Sequence, residues 1–216
     1  IAEVTNKPKC LLKINDITII ERNLLFLKKN GIKNIIFVLG YKSHLIKKIL
    51  QKYKKFFNFH FAYNKNYKKC GNTYSLFKGL KKSKNDTLIF DGDIIFSQKI
   101  LISFLENKRK SSLLVGKGSL KNIECAKTLI DKKGFVRKTV DKRAVKKSEL
   151  KAYKFIGEAV GIIKISNENR IQMTKHLSIF LKKKENLSLN WEHFMNEFLK
   201  KNDLRYSRTA NSQWIE

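Results

Sequence analysis

Acidic residues are scarce in this chain: 18 Asp and Glu stand against 47 Lys and Arg over 216 residues, a formal charge of +29. A field of that sign attracts polyanions, so nucleotide phosphate, nucleic acid and anionic lipid are all admissible partners. The lysines are spread over nearly every segment and form no compact aromatic-and-basic stripe, which argues against a dedicated single-strand binder and against specific nucleic-acid recognition. Long apolar runs are missing too. No stretch approaches the roughly 20 residues that span a bilayer, and no signal peptide opens the chain, so a soluble, cytoplasmic protein without membrane insertion is expected. Cysteine is limited to Cys10, Cys70 and Cys125. An odd number at wide spacing excludes a paired-cysteine zinc or redox motif and implies reduced thiols. Proline occurs once, at Pro8, and no repeat or low-complexity linker divides the chain. What remains, 42% hydrophobic residues, suffices for one full core, so residues 1–216 read as a single domain.

Periodicity gives the fold class. Asn15-Asp16 marks a turn, and Ile17, Ile20, Leu24 and Leu27 recur at helical spacing until Gly31. The run Ile35 to Leu39 is a buried-strand pattern ending at Gly40-Tyr41. Ser43 can cap a helix striped by Leu45, Ile46, Ile49, Leu50 and Tyr53, and Phe57, Phe59 and Phe61 alternate as a strand on which His60 is a face residue. Asn72 or Thr73 can open the next helix, either as a cap or as a contact for a nucleotide. After a further strand and helix the texture changes. A hairpin is expected over 126–140 with its turn at Asp131 to Gly134, then a Lys- and Arg-rich excursion over 138–154, a strand at 155–165, and helices near 167–183 and 190–201. Alternation of strands and helices at crossover length predicts an α/β, Rossmann-like mixed and mainly parallel sheet, with helices on both faces and a small β excursion.

The chemistry centres on Leu88-Ile89-Phe90-Asp91-Gly92-Asp93. An apolar strand ending in carboxylates points them into the crevice where open α/β sheets bind ligands, and on an extended chain Asp91 and Asp93 share one side. Hard carboxylate oxygens there suit Mg²⁺, which takes one or two protein carboxylates and completes its shell with water and substrate phosphates. Asp and Gly are also ordinary turn residues, and a plain strand-end turn stands beside the metal reading. Lys7 and Lys9 flank Pro8 as possible phosphate clamps, or as a basic surface loop.

Six motifs stand in order: Asn6 to Leu12, Gly31 to Tyr41, Asn72 to Leu76, Asp91 to Asp93, Gly157-Glu158-Ala159-Val160-Gly161, and Trp214-Ile215-Glu216. Together they resemble the sugar-nucleotidyltransferase-like family, and within it the phosphocholine cytidylyltransferase branch. The resemblance implies Mg²⁺-dependent transfer of CMP from CTP to a small phosphorylated or phosphonylated amino alcohol, with release of pyrophosphate. It assigns Lys9 and Asp93 as catalytic residues, with Asp93 as the metal ligand. It assigns Lys7, Asn72, Ser75 and Asp91 to the nucleotide, and Lys127 and Glu158 to the acceptor. A cationic acceptor amine would need a carboxylate such as Glu158 or Glu192, or an aromatic face at Tyr153, Phe155 or Trp191. The family's Gly-rich triphosphate loop is expected ahead of Ile1, and its second metal-binding aspartate just past Glu216. A sugar-1-phosphate nucleotidyltransferase is the near alternative. A basic module binding RNA or a membrane surface is the distant one, and the oligomeric state is open.

Overall fold

A computed structural model describes residues 6–209 and 213–215. A 3-10 turn at Lys9–Leu11 leads into β1 (Lys13–Ile14) and β2 (Ile17–Thr18), joined by Asn15 and Asp16, both at positive φ. Short polar side chains tolerate that conformation, and two in succession close a tight hairpin. Ile17 therefore lies in a strand and not in the helix that its spacing suggests. The helix α1 (Ile19–Lys29) begins one residue after Thr18, whose side chain and that of Glu21 cap each other's backbone N–H groups.

β3 (Asn34–Leu39), α2 (Ser43–Leu50) and β4 (Asn58–Tyr63) follow, with β3 and β4 in parallel register. Ser43 is the first helical residue and not the cap; Lys42 takes the cap position at φ 44°. His60 lies on an exposed strand face as expected. Next come α3 (Asn72–Leu80), β5 (Thr87–Phe90), β6 (Ile95–Phe96), α4 (Gln98–Glu106) and β7 (Ser112–Gly116). The hairpin β8 (Lys127–Ile130) and β9 (Val136–Val140) turns at Asp131 to Gly134 as expected, with Gly134 at φ 76°. The excursion then contains a short helix, α5 (Lys147–Ala152), absent from the sequence reading because its few apolar residues give no stripe. It is held by Glu149, 7% exposed, which accepts from both terminal nitrogens of Arg143 and pairs with Lys138 at 2.7 Å. The long β10 (Lys154–Ile165), α6 (Asn167–Phe180), α7 (Trp191–Phe198), β11 (Arg205–Arg208) and β12 (Trp214–Ile215) complete the described elements.

The main sheet has six strands in the order β11-β7-β10-β8-β9, with β5 also on β10. It is mixed: β5, β7, β8 and β11 share one direction, and β10, between them, runs against its partners. Helices cover both faces because alternate side chains go to opposite sides. Leu113, Val115 and Ile163 pack with α6 and α7, whereas Leu114, Val160 and Ile162 pack with α4. A third cluster joins α1 and α2 to β3 and β4. The β5 strand is half-buried throughout and not fully buried, since among the described residues it pairs only with β10.

Candidate active site

The chain leaves β5 at Phe90 and turns at Gly92-Asp93, so the two aspartates do not share one side of an extended strand. They part company in the turn. Asp91 donates its N–H to the Gly161 carbonyl at 2.9 Å. Its carboxylate lies so close over Gly161 that a Cβ there would stand 2.5 Å from Oδ2. Gly161 is at φ 72°, where glycine alone is at ease, and the register of β10 shifts between Ala159 and Ile163. Asp93 faces the other way, toward the N-terminal 3-10 turn. Its Oδ2 lies 3.6 Å from Lys9 Nζ, with the two side chains 31% and 57% exposed. Pro8 sets the entry to that turn, and Leu11 anchors it in the core. Burial, and then the negative charge of Asp93, push the neighbouring Cys10 thiol up to about 12.

Further along β10, Gly157 at φ 138° lets the strand press onto the Gly116 carbonyl, and Glu158 comes opposite both Gly116 and Lys127. Lys127 is fully buried. Its ammonium donates to the Cys125 carbonyl at 2.8 Å, and among the described residues no carboxylate lies within the 4.0 Å of an ion pair. The Cys125 thiol is pushed up to about 12 by burial and by its hydrogen bond to Glu158. Gly118 closes this corner, since a Cβ there would sit 2.7 Å from Glu158 N. The indole of Trp214 lies directly on Gly116, and Trp214–Ile215 pairs with β6 in a separate two-stranded sheet, which brings the end of the described chain beside the end of β7. Glu216 and the segment 1–5 lie outside the described residues.

The remaining assignments land differently. Asn72 does not cap its own helix, whose cap is Gly71; its Oδ1 accepts from Trp191 N at 2.7 Å and so caps α7 from across the domain. Ser75 Oγ accepts from Asn64 Nδ2 at 3.1 Å, and Asn64, 2% exposed, was not singled out by any sequence signal. Between them, Thr73 Oγ1 is fully buried with no hydrogen-bond partner among the described residues. Lys7 is exposed beside Asn6, which accepts from Lys42 Nζ at 2.6 Å. Glu192 is 8% exposed in the first turn of α7, held against β9 by the bond from Thr139 Oγ1 to its carbonyl. Trp191 is 5% exposed core, and not an open face. The structure thus brings Lys9 to Asp93, and Lys127 and Glu158 to one another, with Asp91 and Glu158 both seated on β10.

For a divalent cation, Asp93 offers a half-exposed carboxylate beside a cation-lined turn. Among the described residues no group of three His, Cys, Asp or Glu forms an all-protein cage. That donor set fits Mg²⁺, which needs one or two carboxylates and takes its other ligands from water and substrate.

No family model matches the chain. A CTP:phosphoglutamine cytidylyltransferase of Campylobacter jejuni is 25% identical over 213 residues, covering 84% of this chain and 83% of that protein. A choline-phosphate cytidylyltransferase of Streptococcus pneumoniae is 31% identical over 88 residues, but these span 41% of this chain and only 36% of the relative. The inositol-1-phosphate CTP transferase of T. maritima superposes with a TM-score of 0.75 at 19% identity, covering 100% of this chain and 83% of that one. The chain shares the fold of these nucleotidyltransferases. The CTP:phosphocholine cytidylyltransferase of S. pneumoniae superposes with a TM-score of 0.72 at 18% identity, over 98% and 85% of the two chains. A UDP-glucose pyrophosphorylase superposes equally well, at 0.73 and 12% identity, over 98% and 86% of the two chains, so the fold is shared across acceptor classes. Among the described residues no helix is long and apolar enough to cross a membrane.

Proposed function

We propose that this chain transfers CMP from CTP to a small phosphorylated or phosphonylated amino compound, releasing pyrophosphate. The observation that carries the reading is Lys127. A fully buried ammonium with a single carbonyl partner is costly unless an anion meets it, and an ammonium has three N–H groups to offer. An acceptor phosphate is such an anion. Both sequence relatives are cytidylyltransferases by name, and one of the names includes CTP, which favours that nucleotide.

The reaction is in-line attack by an acceptor phosphate oxygen on the α-phosphorus of CTP, forming one P–O bond as the α–β bridge breaks and the pair of electrons leaves with pyrophosphate. Positioning and charge neutralisation supply the rate, since no covalent protein intermediate is needed. Lys9 neutralises charge on the α-phosphoryl oxygens. Asp93 is the residue that would hold Mg²⁺, which when bound neutralises the triphosphate. Asp91, through its seat on Gly161, fixes the turn that aims Asp93. Lys127 holds the acceptor phosphate, and Glu158 faces its amine. Asn72 and Ser75 order the α3 entrance on the nucleotide side, and Lys7 adds positive charge there.

The test is pyrophosphate release by the full-length natural polypeptide with Mg²⁺ across four nucleoside triphosphates, each against phosphocholine, phosphoethanolamine, aminoethylphosphonate and hexose 1-phosphates. Turnover with CTP and an amino acceptor is expected, lost in Lys9→Ala and Asp93→Ala. Full activity in those variants would sink the assignment. Preference for a hexose 1-phosphate would move the protein to the sugar-nucleotide branch.

A further inference from the structure

Between Arg22 and Asn85 the chain carries seventeen Lys and Arg and not one Asp or Glu. This stretch builds the body of α1, then β3, α2 and β4 around the third core cluster, and α3, which packs on the first. Its lysines are not neutralised from elsewhere. Among the described residues only Lys52 of this set has a carboxylate within 4.0 Å, namely Glu21 at 3.4 Å. Lys48, Lys54 and Lys55 on α2 and the turn after it, and Lys65, Lys68 and Lys69 in the loop after β4, are all exposed. The residues from Asp86 onward, by contrast, carry fifteen of the eighteen Asp and Glu, several of them in ion pairs.

We infer that the lysine-rich surface of this stretch, over α2, the turn after it and the loop after β4, is an adhesion surface for an anionic lipid bilayer. Two features favour a lipid plane over a nucleic acid strand. Sixteen of the seventeen cations are lysines, point charges suited to a diffuse anionic surface, whereas bidentate phosphate and base contacts favour arginine. Two of the rings that a single strand could use as stacking platforms are already covered: Lys47 Nζ lies 5.1 Å from the centre of Phe61, and Lys28 Nζ lies 3.3 Å from that of Phe56. Tyr63 and Tyr67, 41% and 38% exposed beside the lysine loop, have the amphipathic shape of interfacial anchors. The surface does not depend on which reaction the crevice performs.

The experiment is vesicle co-sedimentation of the full chain with phosphatidylcholine alone and with phosphatidylcholine containing about a third phosphatidylglycerol, at about 50 to 500 mM salt. Binding to the anionic vesicles alone, abolished at the upper salt, is expected. Each lysine near an anionic surface contributes roughly fivefold, so the triple variant Lys48→Gln, Lys54→Gln, Lys55→Gln should bind roughly 100-fold more weakly. The matched control Lys132→Gln, Lys182→Gln, Lys184→Gln, outside this segment, should change binding by less than about threefold. Equal loss in both triples would show that only net charge matters and would overturn the assignment to this surface. Equal binding to neutral vesicles, no vesicle binding at low salt, or tighter and more salt-resistant binding to a single-stranded RNA oligomer would each overturn the lipid assignment.

Discussion

Gly161→Ala tests the architecture of the aspartate turn more sharply than any change within Asp91-Gly92-Asp93. An alanine at Gly161 would occupy φ 72°, which costs about 1–2 kcal/mol for a residue with a Cβ. That Cβ would also lie 2.5 Å from Asp91 Oδ2 and 2.8 Å from Ile94 Cδ1, well inside ordinary contact, and overpacking of this kind costs about 1–3 kcal/mol. The sum, about 2–5 kcal/mol, corresponds to a Tm lowered by about 5–15 °C in a chain of this size. Relief requires the turn to move by nearly an ångström, and a displacement of that size near reacting atoms costs on the order of 100-fold in rate. Gly92→Ala is the control, because a Cβ there meets nothing within 4 Å; it should change stability by less than about 0.5 kcal/mol. Thermal unfolding and CTP-dependent pyrophosphate release would be measured on both variants. Gly161→Ala with an unchanged Tm and full turnover would refute the claim that β10 sets the position of the aspartates.

Lys127→Met should leave stability unchanged or raise it by about 1 kcal/mol, since an uncompensated buried charge is replaced by an apolar chain of similar length, while acceptor KM rises by more than about tenfold. Calorimetry and steady-state kinetics on one preparation separate the two effects. The hydrogen bonds from Arg143 hold the Glu149 carboxyl well below the usual carboxylate range, so its contribution is present above about pH 4.3 and fades as the pH falls below it. Glu149→Gln should therefore cost about 2 kcal/mol at pH 7, discounted for the partial exposure of Arg143 and Lys138, and flatten part of the acid limb of the stability curve. Asp93→Asn should speed alkylation of Cys10 at pH 8, because it removes the lesser of the two influences that keep the thiol protonated while burial remains; mass spectrometry of labelled peptides reads the rate. Asn72→Ala should lower stability by about 1 kcal/mol through the loss of the α7 cap, with hydrogen exchange rising first around Trp191.

Strand and helix order were legible because each depends on local pattern. The apolar run 35–39, the Asp131 to Gly134 turn and the stripe through Trp191, Phe194, Met195 and Phe198 became the elements they promised. Failures came where the deciding interaction was distant or unstriped. Ile17 fits a helical period, but two successive positive-φ residues and the Thr18 box claim it for a hairpin. Asn72 reads as a cap for the helix it opens, yet its partner is 119 residues away. The short helix of the basic excursion depends on Glu149, a single carboxylate among Arg143 and Lys138 that no hydrophobic pattern announces.

The same distinction explains why the motif Asp-Gly-Asp was ambiguous when read alone. Nothing within it separates a turn from a site, and the structure shows that it is a turn. What makes that turn distinctive is imported: Gly161 receives Asp91, and the Lys9 turn receives Asp93. Both glycines of Gly157-Glu158-Ala159-Val160-Gly161 allow close approach, one to Gly116 and one to Asp91, so a single irregular strand aligns Glu158 with Lys127 at one end and the aspartates at the other. β10 is irregular at both places: its register shifts against β8 between Phe155 and Gly157 and against β7 between Ala159 and Ile163. The irregular backbone that Gly157 and Gly161 permit is thus the structural link between the acceptor-side and nucleotide-side residues, and filling either glycine should disturb both sets together.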